Sequence, residues 1–252
     1  MKPSSLIDII KGMKVIPREA RRITYSSEIR KLKNIPLTDE QRAIVVGAIL
    51  GDACLSPNWS LTNHRLQITR SKQQQVYIEW QYGKFKPFVL TKPRWYERTR
   101  SYTIRTISHQ EFSNLRKEFY PQGIKILPDR IEEYLQNPLT LAVWFMDDGN
   151  AVIRNGKVVG YHLNTQSFTK EENQKIARLF EELFGIRFVI EKNNGSYRIG
   201  VWQKDSREMF RNLIDSHIIP SMRYKLGLIS DSSSPVETGF PQTGMKIVEA
   251  SA

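Results

Sequence analysis

Leu141-Ala142-Val143-Trp144-Phe145-Met146-Asp147-Asp148-Gly149 is an apolar run that ends on two carboxylates and a glycine. Asn137 suits the N-cap of a helix here, Pro138 needs no donor in its first turn, and Gly149 stops it. A second copy lies upstream: Val45-Val46-Gly47-Ala48-Ile49-Leu50-Gly51-Asp52-Ala53, entered through Thr38 and Gln41 at capping-box spacing. Both helices are apolar nearly all round, which predicts burial. A buried unpaired carboxylate is costly, so the acidic ends belong where the helix pair meets solvent or a cation. Aligning the copies sets Asp52 opposite Asp148.

The segments after each copy repeat in the same order. After Asp52 the pattern predicts a turn at Pro57-Asn58, a strand over 61–70, a helix over 72–84 capped by Ser71 with Val76, Trp80 and Gly83 on one side, a hairpin of 92–98 with 101–107, and a helix over 110–119. After Asp148, Asn155-Gly156 is a hairpin turn between 151–154 and 157–166, Thr169 opens a helix to Phe184, Asn194-Gly195 joins 186–192 to 197–203, and a helix runs over 205–216. Each half is therefore αββαββα, an α+β fold duplicated in one chain. The expected organisation is a basic extension over 1–37, a first repeat over 38–120, a linker over 121–137, a second repeat over 138–228, and a disordered Ser/Gly/Pro-rich tail over 229–252.

The chain has 252 residues and a formal net charge of +12. That excess points to a polyanion, most simply nucleic acid. No apolar run can span a bilayer, so no membrane partner is expected. The single Cys54 excludes an internal disulfide and a multi-cysteine zinc site. No signal-peptide core follows Met1, so the expected location is a prokaryotic cytoplasm or nucleoid, or an organelle matrix, without secretion.

Two similar halves pack most simply about a pseudo-two-fold axis, and duplex DNA has two-fold axes of its own. Small Gly47, Ala48, Gly51 and Ala142 allow the acidic helices to approach, placing Asp52 beside Asp148. The hairpins then form two antiparallel sheets, a saddle over the major groove. Their candidate DNA contacts are Arg65, Gln67, Arg70, Arg94, Arg98, Arg100 and Arg105 in the first half, and Arg154, Lys157, Asn164, Gln166, Arg187, Lys192 and Arg198 in the second. Paired carboxylates suggest Mg²⁺ with phosphate oxygens completing its shell, and metal-assisted hydrolysis as the chemistry.

The two nine-residue motifs, their order and the repeat resemble the LAGLIDADG homing endonucleases over residues 39–228. Trp144-Phe145-Met146-Asp147-Asp148-Gly149 and Leu163-Asn164-Thr165-Gln166-Ser167-Phe168-Thr169 look like the branch that includes the yeast mitochondrial omega-intron endonuclease. The resemblance implies a single-chain, monomeric site-specific enzyme that breaks both strands of a long DNA site and leaves short 3′ overhangs. It makes Asp52 and Asp148 catalytic and metal-binding, with the backbones of Gly51 and Asp147 as further metal ligands and Asp147 otherwise a neighbour. It assigns a late basic residue in each half to Lys125 and Lys225, and it implies Mg²⁺, with Mn²⁺ as a substitute. Motif one departs from the pattern at Val45-Val46 and Ala53, and motif two has Val143 at the helix-packing glycine position, which puts the closeness of the crossing in question. The alternatives are an RNA maturase acting on intron RNA and a non-cleaving DNA-binding regulator.

Overall fold

A computed structural model describes residues 26–58 and 61–228. The tail expected to be disordered, and most of the basic extension, lie outside the described residues. Helix α1 (Ser27–Lys33) precedes the first repeat, which runs α2 (Asp39–Leu50), β1 (Cys54–Pro57), β2 (His64–Ser71), α3 (Gln75–Phe85), β3 (Arg94–Tyr96), β4 (Ser101–Arg105) and α4 (Gln110–Phe119). After α5 (Ile131–Leu135), the second repeat runs α6 (Pro138–Asp148), β5 (Gly149–Arg154), β6 (Lys157–Leu163), α7 (Lys170–Phe184), β7 (Val189–Asn193), β8 (Ser196–Val201) and α8 (Lys204–Asp215). Each repeat makes one antiparallel sheet, in the orders β1-β2-β4-β3 and β5-β6-β8-β7. The α+β duplication is thus present in topology as well as in sequence.

Helices α2 and α6 form the centre. Thr38 and Gln41 make the reciprocal capping box of α2, with both bonds at 3.1 Å. Asn137 Oδ1 caps α6 by accepting the Leu139 N–H at 3.0 Å. Burial is continuous over Ala43–Leu50 and Thr140–Asp147, because each helix is wedged between its partner and a sheet. The crossing is asymmetric, which accounts for the Val143 departure. Helix α2 supplies both gaps and α6 fills them: a Cβ on Gly47 would sit 2.5 Å from the Thr140 carbonyl oxygen and 2.8 Å from Val143 Cβ, and one on Gly51 would sit 2.4 Å from Asp147 Cβ. Gly47→Ala, which favours an exposed helix by about 1 kcal/mol, is therefore expected to lower stability by about 1–3 kcal/mol through overpacking against backbone. Urea unfolding of the two proteins measures this directly.

Both Asn-Gly turns form as expected. Asn155, Gly156, Asn194 and Gly195 all have positive φ, the requirement of a two-residue type I′ hairpin. Thr169 and Glu172 make a second capping box, at α7. Other expectations are corrected. A four-residue strand, β1, ends on Pro57, where only a turn was expected, and is too short for its alternation to show in the sequence. Residues 72–74 form a 3₁₀ turn before α3, and Ser71 makes no side-chain cap bond. Val76 is exposed, and the buried side of α3 is Tyr77, Ile78, Gln81 and Phe85. The connection 121–137 contains α5, which anchors itself by Ile131 and Leu135. Within the basic extension, α1 is amphipathic and buries Ile29 and Leu32, so residues from Ser27 onward pack on the body while its Arg and Lys residues face outward.

Candidate active site and nucleic-acid interface

The two motif helices end together, and their last residues have unequal environments. The Asp52 side chain is 56 % exposed. Asp148 is half-buried, and desolvation first, then the negative charges of Asp52 and Asp147, push its carboxyl up to about 7 against the pull of Lys125 and Lys225. Asp147, one residue earlier, points inward. Its Oδ1 accepts from Arg70 Nη2 at 2.6 Å and from the Tyr77 hydroxyl at 2.8 Å, and its Oδ2 accepts the Asp52 N–H at 3.3 Å. Both oxygens of that carboxylate accept from protein donors.

Lys125 and Lys225 reach this place from outside the motifs. Lys125 Nζ donates to the carbonyls of Leu50 at 2.8 Å and Gly51 at 3.2 Å. Lys225 Nζ donates to the carbonyl of Asp147 at 2.6 Å. Gly51 and Asp147 occupy the same motif position, so the two contacts repeat the duplication. Burial lowers both lysine pKa values, while Asp52, Asp147 and Asp148 raise them. The carbonyls that a helix C-terminus leaves unpaired are thus satisfied here by cations. The oxygens gathered here, the Gly51 and Asp147 carbonyls that accept from the lysines and the carboxylates of Asp52 and Asp148, are hard donors of the kind that suits Mg²⁺ or Mn²⁺. Among the described residues no group of three or more His, Cys, Asp or Glu could hold a metal ion by itself. The protein donors fit a shell that another oxygen source must complete.

The strand registers sort the expected DNA contacts. In the first sheet Leu55, Leu66, Ile68 and Ile104 are buried against the helices. Residues alternating with them point the other way: Arg65, Gln67, Thr69, Arg94, Thr103 and Arg105 share that outer face. Arg105 Nε donates to Gln67 Oε1 at 2.7 Å, so the two present one oriented donor–acceptor pair. Arg98 and Arg100 are exposed in the turn between β3 and β4, and Arg154 faces Lys157 at the exposed end of the β5–β6 hairpin. Arg198 lies on the outer face of the second sheet, where its Nε bonds Glu191 at 3.1 Å.

Five expected contacts are placed differently, Gln166 with Asn164 among them. Arg70 shares the inner face with Leu66 and Ile68, is 2 % exposed, and bonds the carboxylates of Asp52 and Asp147. Lys192 pairs with Tyr197 on the helix-covered side of the second sheet, since Ile190 and Ile199 mark that face as core. Arg187 precedes β7 and is ion-paired with Glu181 of α7 at 2.9 Å. Asn164 holds the second motif helix: its Nδ2 donates to the Asp148 carbonyl at 2.7 Å and to Asn150 Oδ1 at 3.1 Å, with Gln166 Nε2 at 3.5 Å from its own Oδ1. Glu191 and Trp202 also sit on the outer face of the second sheet, with no charge pattern or motif spacing to mark them. Trp202 Nε1 donates to Glu191 Oε1 at 2.7 Å, and the indole lies over Gly160, where a Cβ would be 2.5 Å from the ring. A glycine on each of two neighbouring strands, Gly160 and Gly200, was the available signal.

No helix among the described residues is long and apolar enough to cross a membrane. The model of the LAGLIDADG DNA endonuclease family matches residues 42–209. The chain is 31 % identical to the protein called "Probable intron-encoded endonuclease 1" of Wickerhamomyces canadensis, over 75 % of this chain and 85 % of that protein. It is 26 % identical to "Cytochrome b mRNA maturase bI2" of Saccharomyces cerevisiae, over 90 % of this chain and 57 % of that protein. Its fold matches "The homing endonuclease I-WcaI bound to its DNA recognition sequence" with a TM-score of 0.73 and 27 % identity, covering 86 % of this chain and 97 % of that one. Two acidic helix ends side by side, one sheet per repeat and these matches together place the chain in the LAGLIDADG family of DNA endonucleases, in its single-chain, two-motif form.

Proposed function

We propose that this endonuclease binds a long duplex site as a monomer and breaks both strands in a metal-dependent reaction that leaves short 3′ overhangs. The observation that carries the reading is the pairing of Asp52 and Asp148 at the ends of α2 and α6, each beside a lysine from its own half. One carboxylate and one lysine per half give one cut per strand. Asp52, Asp148 and the carbonyls of Gly51 and Asp147 would hold Mg²⁺, for which Mn²⁺ substitutes. Held by these residues, a divalent cation would supply Lewis-acid polarisation of the scissile phosphate and a lowered pKa for the attacking water. Lys125 and Lys225 stabilise charge on the phosphate oxygens. Outer-face Arg65, Gln67, Arg94, Arg105 and Arg198, with Arg98, Arg100, Arg154 and Lys157 on the hairpin tips, read bases or clamp phosphates.

Many such contacts release counterions. Binding is expected to weaken by about a thousandfold or more between 50 and 200 mM salt, and fluorescence anisotropy over a salt series checks this. A flat response would contradict the basic-face reading. The deciding experiment is cleavage of the uninterrupted host allele by purified protein in Mg²⁺ and in EDTA. A Mg²⁺-dependent double-strand break supports the reading. Tight binding without cutting would favour action on intron RNA, a second reading that the similarity to the yeast maturase keeps open, or a non-cleaving regulator.

A further inference from the structure

We propose that Arg70 is a positioning residue for one of the two cuts. It locks Asp52 and ties it through Asp147 to the opposite motif helix, so the two strands are cleaved by inequivalent halves. This rests on the reading that Asp52 and Asp148 each serve one strand.

All three nitrogens of the guanidinium are engaged. Arg70 Nη1 donates to Asp52 Oδ2 at 3.1 Å, Nη2 to Asp147 Oδ1 at 2.6 Å, and Nε to Gln81 Oε1 at 3.3 Å. The group also stands over the Tyr77 ring, 4.8 Å from its centroid. Asp52 is therefore held at two points, its carboxylate by Arg70 and its N–H by Asp147. Asp147 belongs to the second repeat and Arg70 to the first, so the fork crosses the pseudo-two-fold axis. A buried ion pair is a poor stability device, because desolvation offsets most of its attraction. What it does well is fix geometry, and here the fixed atom is an oxygen of a catalytic carboxylate.

The second half has no counterpart. Cys54 and Asn150 follow the catalytic aspartates by the same two positions, and their partners across the ladder are Gln67 and His162. Counting three residues on from each, Arg70 corresponds to Thr165. Thr165 is 1 % exposed and its hydroxyl is bonded to Asn173 of α7. Among the described residues no Lys, Arg or His lies within ion-pair distance of the Asp148 carboxylate. Asp148 is held by its backbone, through Asn164. One carboxylate is preorganised by a side-chain cation before DNA arrives, and the other is not.

The test is single-turnover cleavage of a duplex in which each strand is labelled separately. Asp52→Asn and Asp148→Asn first establish which cut depends on which carboxylate. Arg70→Met is then expected to slow the Asp52-dependent cut by about 10–100-fold, the usual effect of losing an orienting partner, and to leave the other cut nearly unchanged. DNA affinity and its salt slope should not change, since Arg70 is buried. Arg70→Lys keeps a buried cation but cannot fork. It should show the same strand bias at smaller size, and it carries the test if Arg70→Met does not fold. Equal slowing of both cuts, or no slowing, would overturn the proposal. Full cleavage of both strands by Asp52→Asn would strike the two-carboxylate reading itself, and this proposal with it.

Discussion

Asp52→Asn and Asp148→Asn are each expected to abolish double-strand cleavage while leaving DNA binding in place. Either change removes a negative oxygen from the set that would hold the metal and keeps the shape of the side chain, and losing one such electrostatic contact typically costs about 10²–10³ in rate. The outer sheet faces that would meet DNA are untouched. The two variants should differ in stability. Asp148 is half-buried, and desolvation first, then the two other carboxylates, raise its pKa, so its ionised form is disfavoured in metal-free protein. Asp148→Asn should therefore raise the melting temperature in EDTA at pH 8. Asp52→Asn should not, because it removes a carboxylate that partners the buried Arg70. Plasmid cleavage, a binding isotherm and a thermal melt on each variant read all three effects. A variant that still linearises plasmid at the wild-type rate would remove that aspartate from the site.

The second large effect is a pH dependence that reverses with metal. Asp148 titrates at about 7 in the folded protein, against about 3.9 for an unperturbed aspartate. Between those values the folded state holds a proton that the unfolded state has lost. Metal-free stability is therefore expected to fall as pH rises through this window and to level off above it. Metal binding has the opposite sign, because the cation needs the ionised carboxylate. Below pH 7 the apparent affinity for Mg²⁺ should drop by about tenfold per pH unit, and cleavage at sub-saturating Mg²⁺ should drop with it. Melting curves at pH 6 and pH 8, with and without Mg²⁺, give the check: the metal should raise the melting temperature strongly at pH 8 and weakly at pH 6. Equal metal-induced shifts at both values would mean that Asp148 is not a ligand.

Much of this arrangement is written locally in the chain. The capping box at Thr38 and Gln41, the Asn137-Pro138 start and the two Asn-Gly turns act within a few residues of themselves, so they specify helix starts and hairpins without help from the rest of the molecule. The repetition of these signals, with an acidic end on each central helix, also made the duplication and Asp52 and Asp148 legible. The strand faces were legible in part. Tyr102, Ile104 and Thr106 alternate with Thr103 and Arg105 as expected, whereas Arg70 was read by its charge although it alternates with Leu66 and Ile68.

Other features depended on which atoms met across the two halves. Val143 reads as an obstacle to close helix packing until Gly47 is seen opposite it, because steric fit belongs to the pair and not to either helix. Asp147 and Asp148 are adjacent residues of the same type. Only the fold separates them, turning one inward onto Arg70 and Tyr77 and leaving the other beside Lys125 and Lys225. The sequence by itself determined the repeat, the paired acids and the basic strands, since these follow from local backbone preference and periodicity. The tertiary structure alone decided which carboxylate carries a buried cation and which titrates near neutrality, since desolvation and Coulomb interactions act between residues far apart in the chain.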